Sequence, residues 1–160
     1  MDWSPFVICA DDERPPASRS IETPEGLGDR LRTAAFAERQ AREAFFWAAE
    51  HYVDAPVGLR EGWRRLGEEE NKHLGWLLRR MEELGVAPDG RPVSDGLFKS
   101  LQRCATWRDF ASFMAKAEDR GRTAERHFEK VLAASDPETA RIFAAIAAEE
   151  DAHIALQTGL

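Results

Sequence analysis

The sequence predicts an all-α protein: a four-helix bundle in which one long connection joins the second and third helices. From Gly28 onward, apolar residues recur at helical spacing, and no segment shows the alternation typical of a strand. Two of the predicted connections are short, and the third, residues 85–96, is rich in Pro and Gly. Two short turns and one long connection are typical of a bundle with a single crossover.

Composition supports one folded domain. The chain has 160 residues, of which 43% are hydrophobic and 32% charged. No apolar run approaches the roughly 20 residues that span a bilayer, and the start, MDWSPFVICADDERPP, does not resemble a signal peptide. Cys9 and Cys104 are too few and too far apart for a disulfide framework. We therefore expect a cytoplasmic protein with no membrane partner.

The elements follow from the position of Pro, Gly and Asp residues. Residues 1–26 are expected to form an extended N-terminal arm, because Pro15, Pro16 and Pro24 exclude a long helix there. Residues 27–160 are expected to form the bundle. Gly85 predicts the end of the second helix, and Asp136 followed by Pro137 predicts the start of the fourth. The predicted helices are 28–53, 59–84, 107–133 and 137–157, with a short helical piece at 97–103.

Each predicted helix carries a carboxylate on its apolar stripe, at a position where a leucine would be expected. In the second helix the stripe includes Trp63, Leu66 and Leu77, and Glu70 lies at its centre. The second and fourth helices add a histidine three residues later, on the same face. The six candidate metal ligands are Glu38, Glu70, His73, Glu118, Glu150 and His153.

The spacing of these residues indicates an internal repeat. A shift of 80 positions places Glu38 on Glu118, and it places the Glu70-x-x-His73 motif on Glu150-x-x-His153. Neighbouring positions follow the same shift, for example Arg42 onto Arg122. The sequence therefore predicts a duplicated helix pair, with each copy supplying half of a site.

Buried carboxylates without compensation cost several kcal/mol each, and four of them would also repel one another. They can remain ionised around cations. Four carboxylates and two imidazoles suit two first-row metal ions, iron or manganese, better than a thiolate-preferring metal.

Other polar residues are interpreted as lying outside this ligand set. Glu69 and Glu149 fall about 100° from the stripe, and Glu43, Glu50, His51 and His127 are expected at the surface. Glu125 follows Glu118 by seven residues, and three roles are open to it: an extra ligand, a proton relay, or an ion-pair partner of Arg42 or Arg122. For Tyr52, core packing is favoured over a redox role.

The order of these motifs, a Glu, a Glu-x-x-His, a second Glu and a second Glu-x-x-His on successive helices, resembles the ferritin-like di-iron carboxylate superfamily. Rubrerythrins, bacterioferritins and bacterial di-iron oxidases belong to it. The match covers about residues 30–157. The segments LGEEENKHLGWLLRRMEELG and KAEDRGRT further resemble an uncharacterised group of bacterial ferritin-like proteins, which is similar to the tRNA-modifying di-iron monooxygenases.

The resemblance implies a role for each ligand. Glu38 and Glu118 would each bind one metal ion, Glu70 and Glu150 would bridge the two ions, and His73 and His153 would each bind one. It also implies two iron or manganese ions per chain, which react with dioxygen or peroxide. The sequence has no Cys-x-x-Cys motif of the rubredoxin type, so a full rubrerythrin peroxidase is not expected.

Three functions remain open from the sequence. The favoured one is an oxygen-activating oxidase or hydroxylase that acts on an unknown small-molecule or RNA-borne substrate, with an electron donor as a further partner. The second is a ferroxidase or iron-handling protein, and the third is a non-enzymatic partner module with a structural metal site. The chain ends at Leu160 without a cage-closing fifth helix. We therefore expect a monomer or small homo-oligomer, and a net charge of −7 argues against a broad phosphate-binding surface.

Overall fold

The structure is a computed structural model that describes residues 1–159, and in this range it contains five α-helices and no β-strand. The predicted all-α class is confirmed. Leu160, the last residue of the predicted bundle, lies outside the described range. The helices are α1 (Pro24–His51), α2 (Val57–Glu83), α3 (Gly96–Gln102), α4 (Trp107–Leu132) and α5 (Pro137–Thr158).

The helix ends follow local chemistry that the sequence largely revealed. Gly85 has a φ of +70° just beyond α2, which is the left-handed conformation that glycine adopts at no steric cost. Asp136 caps α5 by accepting a hydrogen bond from the Thr139 backbone N–H at 3.1 Å, and Pro137 occupies the first turn. Both predicted boundaries are confirmed.

The first helix begins four residues before the predicted start. The Thr23 hydroxyl accepts a hydrogen bond from the Gly26 N–H at 3.0 Å, and this bond caps the helix. Pro24 then stands at its first position, where a missing N–H costs nothing. Pro24 was interpreted as a residue that excludes a helix, whereas it begins one.

The chain forms two compact units. The first unit combines Met1–Glu43 with Gly67–Ser100, and the second combines Ala44–Leu66 with Leu101–Leu160. Both α1 and α2 contribute residues to each unit, since the division falls within these helices.

In the first unit, the N-terminal arm is fixed by aromatic packing. Trp3 and Phe6 are buried, and the Trp3 ring packs edge-on against Phe36 and Phe98, with centroids 5.2 Å apart in both pairs. A single backbone bridge between Ile8 and Val93 joins the arm to the connection before α3. The arm is therefore part of the packed structure of this unit.

A buried carboxylate anchors three segments of the first unit. Asp29 in α1 binds Arg19 from the arm at 2.9 Å, Arg91 from the connection at 2.6 Å, and Arg32 from the next turn of α1 at 3.3 Å. The Arg19 guanidinium, helped by its backbone N–H and by Arg91, holds the pKa of Asp29 well below its usual range. Asp29 is therefore a carboxylate at all physiological pH values.

In the second unit, α4 and α5 pack against each other, and an aromatic cluster adjoins them. The Trp63 indole donates a hydrogen bond to Gln157 at 3.1 Å, and the Trp63 ring packs edge-on against Phe110. Tyr52 donates its hydroxyl to the Cys104 carbonyl at 2.5 Å, and burial raises the pKa of this phenol to about 12. Tyr52 therefore serves packing and hydrogen bonding in this structure.

None of the helices in the described range is both long and apolar enough to cross a membrane.

Two helical glycines provide a matched test of packing. A Cβ at Gly26 in α1 would collide with the Ser20 backbone carbonyl, whereas a Cβ at Gly75 in α2 would meet no atom within 4 Å. We expect Gly26→Ala to destabilise the fold by about 1 to 3 kcal/mol. Gly75→Ala should stabilise it by up to about 1 kcal/mol, because alanine is the better helix former. Urea unfolding measures both, and equal stability of the two variants would contradict the observed approach of the arm to α1.

Candidate metal centre

The first unit brings together one half of the predicted ligand set. Glu38 lies on α1, and Glu70 and His73 lie one turn apart on α2. Their exposed fractions are 6%, 1% and 0%. The His73 Nδ1 atom lies 3.6 Å from Glu38 Oε2 and 3.8 Å from Glu70 Oε2.

The second unit contains an equivalent group on α4 and α5. Glu118, Glu150 and His153 are all buried, and His153 has no exposed surface. The His153 Nδ1 atom lies 3.1 Å from Glu118 Oε2, which is a hydrogen-bond distance, and 3.6 Å from Glu150 Oε2. In both groups, which we call the first and second triads, the same ring nitrogen faces both carboxylates.

Helix geometry explains why each triad forms. Residues at positions i and i+3 share one face of a helix, so a Glu-x-x-His motif presents its carboxylate and imidazole side by side. Apolar residues before and after the motif bury that face: Leu66 and Leu77 flank the motif of α2, and Phe143 and Ile146 precede that of α5. The third member comes from the neighbouring helix, α1 or α4.

The distances suit a metal ion within each triad. Within each group the candidate ligand atoms all lie within 4.8 Å of one another. At a bond length of about 2.1 Å, adjacent ligands of one ion stand about 3.0 to 3.6 Å apart. The observed separations of 3.1 to 3.8 Å are close to this range.

The chemistry of each donor set, two carboxylates and one imidazole, also fits. Imidazole and carboxylate oxygen together suit iron, manganese and zinc, and the absence of a thiolate from the triads disfavours metals that prefer sulfur. Two carboxylates would also match the charge of a divalent cation.

Aromatic rings border both imidazoles. Trp76 lies 5.3 Å from the His73 ring between centroids, and Phe45 meets the His153 ring edge-on at 6.4 Å. Such surroundings exclude water and strengthen electrostatic interactions within each triad.

The neighbouring polar residues divide largely as expected. Glu69 and Glu149 are partly exposed and lie outside the triads, and His51, His127 and Glu50 are exposed. Glu43 differs, because it is half-buried between Arg39 and Arg42, to which it is hydrogen-bonded at 3.3 and 2.5 Å.

Glu125 is buried, and it is not one of the grouped ligands among residues 1–159. Arg122 donates hydrogen bonds to Asp119 and Asp151, and Arg42 donates to Asn71. These hydrogen bonds of the two arginines go to residues other than Glu125, and its role stays a prediction.

Sequence reasoning missed two polar residues of α1. Asp29 lies close to the predicted start of the first helix, and the structure shows that it binds three arginines. Gln40 is buried; its amide donates to the Ser94 carbonyl at 3.2 Å and accepts from the Phe98 N–H at 3.0 Å. The available signal was a polar residue on the buried side of α1. The Gln40 partners lie 54 and 58 residues away along the chain, and Arg91 lies 62 residues from Asp29.

Comparison with known proteins gave one family. No curated protein and no solved structure matches the chain. A family model described as "Protein of unknown function (DUF455)" matches residues 5–158, which includes both triads and nearly all of the described chain. The protein therefore belongs to this DUF455 family.

Proposed function

We propose that this chain is a di-metal carboxylate protein with a ferritin-like four-helix bundle, and that it is an oxygen-activating oxidoreductase. The two triads would together supply six ligands to two iron or manganese ions. The observation that carries the proposal is the repetition of one buried triad, two carboxylates around a histidine Nδ1, at positions 80 residues apart.

The repeat extends to the helices that carry the triads. Helix α5 begins 80 residues after α2, the same shift that relates Glu70 to Glu150. A Glu-x-x-His pair on an exposed helix face would not need to keep the same position relative to the start of its helix. Two copies in one register, both removed from water, support a shared role in binding cations.

Such ions, when bound, would supply the redox chemistry that reduces dioxygen and oxidises a substrate. The protein's own part is to hold them with six side chains and to keep bulk water away. The buried carboxylates would balance the positive charge, and the ring packing of Phe45 and Trp76 would keep each imidazole in place. The oxidised substrate would be a small molecule or an RNA-borne group.

Metal content is the first test. Protein produced with iron or manganese should contain about two metal ions per chain, and it should unfold at a higher temperature than the chelated protein. At a free metal concentration of 100 times Kd, each site adds about 2.7 kcal/mol. Elemental analysis and thermal melts measure both quantities. A fully folded protein that takes up no metal under these conditions would refute the site.

The second test compares adjacent glutamates. Glu70→Ala and Glu150→Ala should each lose at least half of the bound metal, because each removes a buried ligand. Glu69→Ala and Glu149→Ala are the matched controls, and they should retain nearly all of it because these residues are partly exposed and outside the triads. Equal loss in both sets would show that the ligand assignment is wrong.

The third test separates the three functions. Protein loaded anaerobically with two ferrous ions per chain is mixed with oxygenated buffer, and oxygen uptake is followed together with particle size by light scattering. The proposal expects rapid uptake that is lost in Glu150→Ala, in a monomer or small oligomer. Continued oxidation of added ferrous iron with growth of a mineral particle would favour iron storage. Metal binding with no oxygen uptake would favour the structural module.

A further inference from the structure

A cavity of about 330 Å³ lies in the first unit, apart from the residues of the first triad. The N-terminal arm, α1 and the connection before α3 all contribute to its lining. The volume is within the range of small-molecule sites. Phe36, Val93 and Leu97 give the cavity apolar walls. Thr33 also lines it and is exposed, so the cavity is open to solvent.

The charged residues of this cavity leave an excess of positive charge. Asp29, Arg32 and Arg91 all line it, and Arg19 binds the same aspartate from the arm. One carboxylate therefore faces three guanidinium groups. Asp29 is ionised at all physiological pH values. The cluster of one carboxylate and three guanidinium groups therefore has a net charge of +2.

The three arginines differ in how many of their donors are engaged. Arg19 and Arg32 both use their Nε atoms, towards Asp29 and the Ala87 carbonyl respectively. Within residues 1–159, the hydrogen bonds of Arg91 come from Nη1 alone, to Asp29 at 2.6 Å and to the Ala17 carbonyl at 3.4 Å. Its Nε and Nη2 groups remain for a ligand, and this edge of a guanidinium matches two oxygens of an oxyanion.

We propose that this cavity binds a small organic carboxylate, with its oxygens on Arg91 and its aliphatic or aromatic body against Phe36, Val93 and Leu97. A singly charged carboxylate suits the site better than a phosphate ester. A carboxylate has two oxygens, which the two remaining donor groups of Arg91 can satisfy, whereas a phosphate ester has a third anionic oxygen that this edge does not reach. The site does not depend on metal in the triads, so it stands or fails separately from the proposed function.

The test uses 4-methylbenzoate as the probe and isothermal titration calorimetry as the measurement, on both metal-free and metal-loaded protein. The neutral analogue 4-methylbenzamide and the dianion 4-methylphenyl phosphate complete the series. The carboxylate should bind in both metal states, the amide about tenfold more weakly or worse, as expected for loss of a charge-assisted contact. The phosphate should bind more weakly than the carboxylate.

Two variants locate the binding. Arg91→Met removes the free guanidinium edge but leaves Asp29 with Arg19 and Arg32, and it should weaken carboxylate binding at least tenfold. Thr33→Phe changes an exposed residue and fills the cavity, so it should have the same effect without loss of folding. Arg126→Met, at an exposed ion pair with Glu129 in the second unit, is the control and should change nothing.

Three results would overturn the proposal. One is the lack of carboxylate binding to the wild-type protein at concentrations up to about 10 mM. Another is tighter binding of the phosphate than of the carboxylate. The last is carboxylate binding that survives both Arg91→Met and Thr33→Phe, because this would place the ligand elsewhere.

Discussion

The four buried carboxylates of the two triads, which lie beside two buried imidazoles, set the main physical constraint on this structure. Each triad removes two carboxylates from water and sets them around one histidine Nδ1. An ionised carboxylate in such surroundings needs a nearby positive charge or hydrogen-bond donors, and the cost of leaving it without them is several kcal/mol. The apolar residues that flank each Glu-x-x-His motif create this demand, since they are what exclude the water. Close packing and the need for a compensating positive charge are therefore two consequences of one pattern.

The same constraint explains how well the fold and triads could be predicted. A helical face that is apolar except for one Glu and one His fixes both the burial and the register, because any rotation of the helix would expose Leu66 or Leu77. The helix ends at Gly85 and Asp136 depend on local backbone chemistry, which a sequence also reveals. Information carried by adjacent residues was sufficient for these features.

Other features depend on partners that no local pattern indicates. Asp29 is held by arginines 10 and 62 residues away, and the buried Gln40 is satisfied by the connection before α3. The start of α1 was predicted too late because proline disrupts the interior of a helix but is favoured at its first position. The cap from Thr23 places Pro24 at the first position. A threonine before a proline is too common to predict such a cap by itself.

These long-range contacts also bear on the first triad. Glu38 shares α1 with Asp29 and Gln40, and both of these residues tie that helix to the chain that follows α2. Arg32 adds a third link, because its Nε donates to the Ala87 carbonyl at 2.9 Å. The three links lie along about three turns of α1, so they restrain both its rotation and its translation against the end of α2. Glu38 lies on this restrained helix, and its carboxylate oxygen Oε2 is thereby held 3.6 Å from His73 Nδ1 on α2.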